Sequence, residues 1–449
     1  MAIRLAVENA SKITPHKYPR GFRPRRGLNW GFLGLLYTSF YMCRYNLSIA
    51  NKSISDQFGY SHDQMGKIIG AWMLAYAFGQ VLNGLLTDRM GGKLAMLIGA
   101  AGTIVMNVLF GAASFVGLLW LFVVIRGIDG YVQSFGAPGM TKIKTAWFPK
   151  TERGGFAGIF GFMINLGRFG IFKLGPALLA GFTIVGLIHV GPLHWRWLFY
   201  APSMICAVVA IGMALTVKET PEAAGWPGLI PPEIDENGGV DLATKAPMAE
   251  VFAKIVCNPA VWIVGAAYAC TGAVRQSVDQ WFPRYMQEAH HTDLNSVQFQ
   301  FLAFLIPLVA SIGSLLSGYV SDKGFKGQRA PVAAALFIAE TAVILLATRF
   351  HTANSAVLFL VLISFTANST HSILGTAAAM DIGGRKMTGF ASGLIDSFQY
   401  LGGSLAGFLL SPLLDKSWGY FFYFMVPFGF IGFLLMVFAR KTIARGSSR

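Results

Sequence analysis

The chain has 449 residues, of which 54% are hydrophobic and only 13% are charged, and it carries a formal net charge of +15. An average soluble protein has about 25% charged residues, so the composition excludes a water-soluble enzyme. The apolar residues fall in repeated blocks of about 20, the length that an α-helix needs to cross a bilayer. We therefore predict an all-α polytopic membrane protein that is not an enzyme.

Twelve apolar runs, bounded by charged residues or by glycine and proline, predict twelve transmembrane helices. The first six lie near 28–50, 66–87, 94–114, 116–140, 156–183 and 196–217. The second six lie near 259–283, 298–320, 331–349, 354–378, 388–413 and 417–439. The predicted organisation is an N-terminal tail (1–27), a six-helix bundle (28–217), a linker (218–258), a second six-helix bundle (259–439) and a C-terminal tail (440–449).

The segments outside the two bundles are polar. The N-terminal tail has no apolar core before Gly27, so we expect no cleaved signal peptide. The linker is rich in Pro, Gly, Asp and Glu, and its end, Met248–Cys257, has the apolar spacing of a helix lying on the membrane surface. The cysteines show no metal-ligand or redox spacing, so we expect packing residues, no metal site and no cofactor. They are Cys43, Cys206, Cys257 and Cys270.

Lysine and arginine concentrate in alternate connections, which predicts the side of the membrane on which those connections lie. The rich set holds Arg20, Arg23, Arg25, Arg26, Arg89, Lys93, Lys150, Arg153, Lys323, Lys326, Arg329, Arg385, Lys386, Arg440 and Lys441. The other connections hold little beyond Lys52, Arg196, Arg284 and Lys416. Because basic loops stay in the cytoplasm, we predict that both termini are cytoplasmic and place the protein in a bacterial inner membrane.

Two short motifs recur at one distance along the chain. Gly84-Leu-Leu-Thr-Asp88 returns as Gly318-Tyr-Val-Ser-Asp322, and Gly-Phe-Ala at 155–157 returns at 389–391, each after 234 residues. Internal repeats are typical of transporters, whose binding site lies near the bilayer midplane between the repeated halves. We therefore predict two pseudo-symmetric six-helix bundles with a site between them.

The repeated loop has a recognisable composition. We expect its glycine to let neighbouring helices approach closely and its aspartate to pair with basic residues that move during transport. An ordinary polar loop is the alternative, which the second copy argues against. The stretch resembles the signature loop of the major facilitator superfamily and implies that fold. The resemblance gives a conformational-coupling role to Gly84, Asp88, Arg89, Gly91, Asp322 and Arg329.

Two arginines lie within predicted spans, Arg44 in the first helix of one half and Arg275 in the first helix of the other. A charge at that depth costs about 2.5–3.5 kcal/mol unless it faces water or a partner. The matching positions predict that the arginines face each other across an aqueous cavity, where two guanidiniums can bind one tetrahedral oxyanion. The alternatives are snorkelling of Arg44 or a structural ion pair, and for Arg275 an intrahelical pair with Asp279.

Other polar residues lie on faces predicted to line the cavity. Arg168 and Asp396 come from symmetry-related helices, and either a structural salt bridge or a substrate contact by Arg168 fits that position. The stripe of Arg126, Asp129 and Gln133 on the fourth span fits a structural network better than a binding site. The candidate substrate-binding residues are Arg44, Arg275, Tyr41, Tyr45, Tyr37, Arg168, His371, Gln133 and Asp279.

The chain resembles the organophosphate:phosphate antiporters, the family of glycerol-3-phosphate and hexose-6-phosphate carriers, over nearly its whole length. The resemblance rests on Tyr41-x-x-Arg44-x-Asn46, Glu152-Arg153-Gly154-Gly155, Val274-Arg275 with Asp279, Ser321-Asp322-Lys323 and Tyr400-Leu401-Gly402-Gly403-Ser404. It implies that Arg44 and Arg275 bind phosphate and that a phosphate ester is exchanged for inorganic phosphate. The chain departs from the glycerol-3-phosphate carrier, which has two lysines and a histidine where Tyr45, Gln80 and Ile164 stand here.

The leading interpretation of function is therefore a secondary antiporter for a phosphate ester. One alternative is a transporter-like membrane sensor of sugar phosphate, because the family contains such receptors. Another is a proton-coupled carrier of a different organic anion, with Asp279 or Asp396 as the proton site. The expected partners are the small anionic ester, inorganic phosphate and the lipid bilayer, with no nucleic acid, and we expect a monomer.

Overall fold

The computed structural model describes residues 18–184, 188–230, 256–325 and 328–446, with the backbone alone at 150–160, 184, 376–392 and 439–446. Residues 1–17, most of the predicted linker with Met248–Ile255, and residues 447–449 lie outside the described residues. Within the described ranges the chain is helical apart from its connections and one short antiparallel hairpin. The predicted all-α membrane architecture is confirmed.

The first half contains seven helices among the described residues. They are α1 (Phe22–Phe58), α2 (His62–Met90), α3 (Gly92–Ala113), α4 (Leu119–Gln133), α5 (Gly136–Trp147), α6 (Lys150–Ala180) and α7 (Trp197–Thr216). The predicted fourth span is α4 followed by α5, so it ends later than expected. A hairpin that the sequence pattern did not indicate follows α6, pairing β1 (Phe182–Ile184) with β2 (Ile188–Val190), Phe182 opposite Val190.

The second half repeats this arrangement. Its helices are α8 (Pro259–Ala289), α9 (Val297–Tyr319), α10 (Arg329–Ala347), α11 (Ala353–Ser372), α12 (Ala379–Phe408), α13 (Leu410–Leu414) and α14 (Tyr420–Gly446), with π-helical segments at Val320–Gly324 and Ile373–Ala378. Each predicted span corresponds to a helix or a pair of helices. The connection predicted around Arg385 and Lys386 is wrong, because the backbone there is helical and belongs to α12.

Several helices start where the sequence supplies a cap. Ser61 and Gln64 form a capping box at the start of α2, and Asn258 accepts a hydrogen bond from the amide of Ala260 where Pro259 opens α8. Gly59 ends α1 with a φ of 67°, a left-handed conformation that glycine adopts without steric cost.

Eight helices in the described residues are long and apolar enough to cross a membrane by length and composition. Helices α1 and α8 do not meet this measure, since they carry the polar residues of the predicted site. From Cys270 to Met286 every residue of α8 is buried, and the same holds for α1 from Leu36 to Asn51. Polar helices in a bilayer are stable when other helices surround them, so α1 and α8 form the interior of the molecule.

The two halves contact each other through α2 with α12, α6 with α9, and α1 with α8. Along α2 and α12 the contact loosens in one direction. A Cβ built at Gly407 would contact Gly70, one at Gly403 would lie 3.2 Å from the Met73 Sδ, and one at Gly393 would lie 3.6 Å from the Gln80 carbonyl oxygen. The helices are therefore packed most tightly at the end opposite the termini, and their contact is looser, though still within van der Waals distance, at Gly393.

The repeated loop glycines lie at the looser end. Among the described residues, a Cβ at Gly84 or at Gly318 would meet no heavy atom within 4 Å. The expectation that these glycines permit close helix approach therefore stays a prediction, since the described residues supply no neighbour to either of them.

Candidate anion-binding site

Arg44 lies in the middle of α1, and its side chain is 1% exposed. Its Nε donates to the Gln133 Oε1 at 2.8 Å, and its Nη1 donates to the Tyr400 hydroxyl of the opposite half at 2.7 Å. Its Nη2 is buried with no hydrogen-bond partner among the described residues. A buried donor of a charged group is costly when it is left unpaired, so this nitrogen is available to an anion.

Aromatic rings enclose this guanidinium. The Arg44 Cζ lies 4.3 Å from the ring centre of Tyr41, 4.8 Å from that of Trp72, 4.6 Å from that of Tyr76 and 5.7 Å from that of Tyr400. Such contacts stabilise a cation that has lost its hydration. Snorkelling is excluded for this conformation, and so is the predicted open aqueous cavity at Arg44, because the rings shield the charge from water. Of these rings only that of Tyr41 was predicted as a site residue.

A second cluster surrounds Asp279 on α8. The Asp279 carboxylate makes a salt bridge with Arg168 of α6, accepts a hydrogen bond from the Tyr45 hydroxyl at 3.2 Å, and has its Oδ2 3.7 Å from the Arg275 Nε. Arg275, 3% exposed, also donates to the Asn368 Oδ1 at 3.0 Å. The intrahelical Arg275–Asp279 pair is therefore present, and Asp279 connects both halves.

The predicted salt bridge between Arg168 and Asp396 is wrong. Asp396 instead accepts from the Gln80 amide at 2.6 Å and lies 3.4 Å from the Tyr268 hydroxyl. Arg168 lies on α6, where Asp279 of α8 is the carboxylate within reach, and a buried guanidinium needs such a partner. His371 belongs with Asp396, since its Nδ1 lies 2.5 Å from the Tyr268 hydroxyl.

The predicted stripe on the fourth span divides into two parts. Arg126 and Asp129 pair at 2.9 Å, and Arg126 also donates to the main-chain carbonyls of Cys43 at 3.2 Å and Arg44 at 2.6 Å. These contacts fit the structural interpretation, because they fix the backbone of α1. Gln133, in contrast, contacts the Arg44 side chain directly.

Tyr37 lies one turn from Tyr41, with ring centres 5.5 Å apart, and Tyr41 in turn lies 5.9 Å from Tyr45. The three tyrosines form a buried row along α1 between Arg44 and the Asp279 cluster. Tyr37 also packs against Phe40, with ring centres 6.2 Å apart, and so supports this row; its substrate contact stays a prediction.

The repeated loops carry the predicted ion pairs unequally. Asp322 accepts from Arg329 at 2.6 Å, whereas Asp88 is exposed and lies 3.9 Å from the Lys142 Nζ. Gly91 has a φ of 95°, which favours glycine, and Arg89 lies in the last turn of α2, where a cation suits the helix dipole. Their coupling role remains a prediction. The side chains of the motif Glu152–Gly155 lie outside the described residues.

Polar residues at the end opposite the termini join the two halves. The His62 ring, at the start of α2, lies 2.8 Å from the Glu288 Oε2 and 2.8 Å from the Asp415 Oδ1. Asp415 also accepts from the amides of His62 at 2.7 Å and Asp63 at 3.0 Å. We call His62, Glu288 and Asp415 the latch.

The hydrogen bonds of the latch favour the ionised form of the Asp415 carboxylate. Burial acts to raise the pKa of Asp415, but the hydrogen bonds from Asp63 and His62 outweigh it and the pKa is lowered, so the carboxylate is ionised at neutral pH. Beside it, Arg284 of α8 donates to Asn51 and Ser55 of α1 at 2.9 Å each. The role of these residues was not predicted, because polar side chains at helix ends carry no motif that identifies their partners.

Comparison with known proteins agrees with this arrangement. The family model described as Major Facilitator Superfamily matches residues 33–407. The membrane sensor protein UhpC of Escherichia coli (strain K12) is 27% identical over 91% of this chain and 91% of its own. The glycerol-3-phosphate transporter of Bacillus subtilis (strain 168) is 26% identical over 86% of both, and a probable hexose phosphate transport protein of Chlamydia trachomatis serovar D is 26% identical over 90% of this chain and 88% of its own.

A solved structure shares the fold. A bacterial homologue of the human lysosomal transporter Spinster, in an inward-facing and unoccupied conformation, has a TM-score of 0.73 and 17% identity, covering 94% of this chain and 98% of that one. The relatives confirm the resemblance to carriers of phosphate esters and the prediction of a protein that is not an enzyme. With the family model matched over most of its length and two bundles of this architecture, the chain belongs to the Major Facilitator Superfamily.

Proposed function

We propose that the protein exchanges a phosphate ester for inorganic phosphate by alternating access, with the anion bound by Arg44 and Arg275. The observation that carries this proposal is that the Nη2 of the buried Arg44 has no hydrogen-bond partner in the part of the chain that the structure describes. A guanidinium has five donors in a planar fork that matches phosphate oxygens. An incoming phosphate would accept from this nitrogen and could displace the Tyr400 hydroxyl.

The charges of the site support an anion of this class. Three arginines (Arg44, Arg168 and Arg275) and two carboxylates (Asp279 and Asp396) lie in or beside the site, while Arg126 and Asp129 neutralise each other. The site therefore has one excess positive charge when all of these groups are ionised. A phosphate ester carries between one and two negative charges near neutral pH, so binding brings the site close to neutrality.

Exchange follows from the same charges. An empty site leaves the Arg44 charge dependent on aromatic rings and neutral acceptors, which compensate it less well than an anion does. Movement of the two halves around an empty site is therefore disfavoured, whereas a bound anion lowers that barrier. Each crossing would then need an anion in the site, which is the property of an exchanger.

The packing of the halves supports alternating access. The latch and the contacts of Gly70 with α12 close the end opposite the termini, while the contact of α2 with α12 is looser toward the other end. With both termini in the cytoplasm, as the Lys and Arg distribution predicts, the closed end is the one that faces outside.

A membrane sensor of sugar phosphate is the second candidate, because one relative, UhpC, carries the name of a membrane sensor. A sensor needs the same anion site and differs only in whether the anion crosses the membrane. The two functions therefore separate by transport and not by binding.

The test uses the purified chain in vesicles loaded with radiolabelled phosphate. We expect external phosphate esters to release the label, and no release when the outside solution lacks phosphate and esters. Binding of esters without release would favour the sensor. Release driven by a proton gradient in the absence of any phosphate compound would favour the proton-coupled carrier.

A further inference from the structure

Asp396 lies on α12 at the boundary between the halves, and its side chain is half-buried. Its Oδ2 accepts from the Gln80 Nε2 of α2 at 2.6 Å. Its Oδ1 lies 3.4 Å from the hydroxyl of Tyr268 on α8, and that hydroxyl lies 2.5 Å from the Nδ1 of His371 on α11. Three other helices thus place polar groups around this carboxylate.

The hydrogen atoms available here leave one carboxylate oxygen poorly satisfied. The Tyr268 hydroxyl donates to the Asp396 Oδ1 across 3.4 Å, which is longer than an ordinary hydrogen bond, while its oxygen lies 2.5 Å from the His371 Nδ1. The His371 ring also stacks on Tyr268 with 5.3 Å between ring centres, which fixes the tyrosine. An ionised carboxylate has about four lone-pair positions and only accepts, so the Oδ1 has room for further donors.

The carboxylate faces the same interior as the arginines. Tyr400, whose hydroxyl accepts from the Arg44 Nη1 at 2.7 Å, lies about one turn after Asp396 on α12. The carboxylate's partner Gln80 comes from the half that holds Arg44, and Tyr268 lies about two turns before Arg275 on the same helix. A ligand held by the arginines would therefore extend toward Asp396.

We propose that Asp396, with Tyr268 and Gln80, forms a second subsite that binds hydroxyl groups in the organic part of the ester. This proposal rests on the proposed function. A carboxylate repels the phosphate oxygens and attracts donors, so it orients the ester with its phosphate at the arginines and its hydroxyl groups at Asp396. Asp396 is then the residue by which the site discriminates an ester that carries hydroxyl groups from an ester whose organic group is apolar.

The proposal makes a prediction that separates charge from hydrogen bonding. Asp396→Asn removes a negative charge near the arginines, so every anion should gain affinity by that effect alone. An ester with several hydroxyl groups should nevertheless lose affinity, because it loses hydrogen bonds to a charged acceptor. Loss of one such bond corresponds to about a tenfold change.

The experiment measures how unlabelled compounds compete with labelled phosphate for exchange in vesicles. The compounds are ethyl phosphate, which has no hydroxyl group on its carbon chain, ethanolamine phosphate and glucose 6-phosphate. In the wild-type protein we expect glucose 6-phosphate to bind at least about tenfold more tightly than ethyl phosphate. In Asp396→Asn the ratio of the two affinities should fall about tenfold, with ethyl phosphate binding more tightly than before.

Asp56→Asn is the matched control, because Asp56 is an exposed carboxylate of α1 that pairs with Lys52 at 2.6 Å. It should leave the affinity ratio unchanged. Equal shifts for glucose 6-phosphate and ethyl phosphate in Asp396→Asn would overturn the subsite while leaving phosphate exchange intact. A selective loss of ethanolamine phosphate would also overturn it, since the carboxylate would then bind an ammonium group. Absence of phosphate exchange in the wild-type protein would overturn both this subsite and the proposed function.

A second measurement needs only the wild-type protein and remains available if Asp396→Asn does not fold. Deoxy derivatives of glucose 6-phosphate each lack one hydroxyl group. At least one of them should compete about tenfold less well than the parent compound. If every derivative competes within about twofold of the parent, no hydroxyl group meets a charged acceptor and the subsite is refuted.

Discussion

Arg168 and Asp279 are both buried inside the bundle and come from opposite halves. Asp279 is shared, because the Tyr45 hydroxyl and the Arg275 Nε lie at its other oxygen. Removal of one member of a buried ion pair leaves an uncompensated charge, which costs about 3–5 kcal/mol, whereas removal of both costs much less. The pair therefore couples the stability of the two halves.

This coupling is measurable by a double-mutant cycle. We expect Arg168→Gln and Asp279→Asn each to destabilise the protein by about 3–5 kcal/mol and the double variant to be less destabilised than the sum. Thermal unfolding of the purified protein in detergent measures the three changes. Arg168→Gln combined with Asp56→Asn is the control and should be additive. Additive effects in the Arg168 and Asp279 cycle would contradict the pairing.

The charged residues of the site were predictable, but their partners were not. Arg44 and Arg275 stand out because a charge within an apolar run is costly, whatever the fold. Asp279 was within reach of Arg275 by helical spacing alone. The partner of Arg168, in contrast, depends on how α6 packs against α8, and the contact of Tyr400 with Arg44 depends on how the halves meet. Sequence spacing carries no information about such contacts.

At the scale of the elements, small residues govern the contact between α2 and α12. A Cβ at Gly70 would lie 2.7 Å from the Phe408 ring, whereas a Cβ at Gly84 would meet nothing within 4 Å among the described residues. The two glycines lie on the same helix, one at its tightly packed end and one at its loose end. They form a matched pair for testing which end is closed.

We predict that Gly70→Leu separates α2 from α12 at the end opposite the termini, since the leucine has no room there. The reporter is Ser411→Cys in a chain whose four native cysteines are replaced, because Ser411 is buried at this contact. The cysteine should be shielded from a maleimide in the parent and react at least about tenfold faster with Gly70→Leu, which corresponds to a shift of about 1.4 kcal/mol in the equilibrium between conformations. Gly84→Leu should leave it shielded. Equal labelling in both variants would contradict the assignment of the closed end.

The helices themselves followed closely from the sequence, because a bilayer requires backbone groups to pair within each segment. The hairpin Phe182–Val190 did not, since its strands have three residues each and show no alternation long enough to detect. The backbone of α12 begins at Ala379, which the charges of Arg385 and Lys386 concealed. The two basic residues predicted a connection at a place where the backbone is helical.

At the scale of the whole molecule, alternating access requires the same two halves to pack against each other in two different ways. The repeat identified the halves, but the end at which they close depends on small free-energy differences that no sequence pattern reports. Orientation in the membrane is a separate property, which the distribution of lysine and arginine predicts.

Orientation is tested by a cysteine at Ser447, close to the C-terminus, in the chain without native cysteines. We expect it to be shielded from an impermeant maleimide in intact cells and to react after the membrane is permeabilised. The control is a cysteine at the exposed Asp56, in the last turn of α1, which should react from outside. Labelling of Ser447→Cys in intact cells would reverse the predicted orientation.

The central claim is that two arginines bind the transported phosphate, and phosphate exchange by lysine variants tests it most directly. Arg44→Lys and Arg275→Lys keep the charge but remove the fork of donors that phosphate oxygens need. We expect each variant to be folded and to exchange labelled phosphate at least about a hundredfold more slowly than the wild type, the effect of losing about two charge-assisted hydrogen bonds. Lys67→Arg, at an exposed ion pair with Asp63, should exchange normally. Exchange near the wild-type rate by either lysine variant would contradict the account.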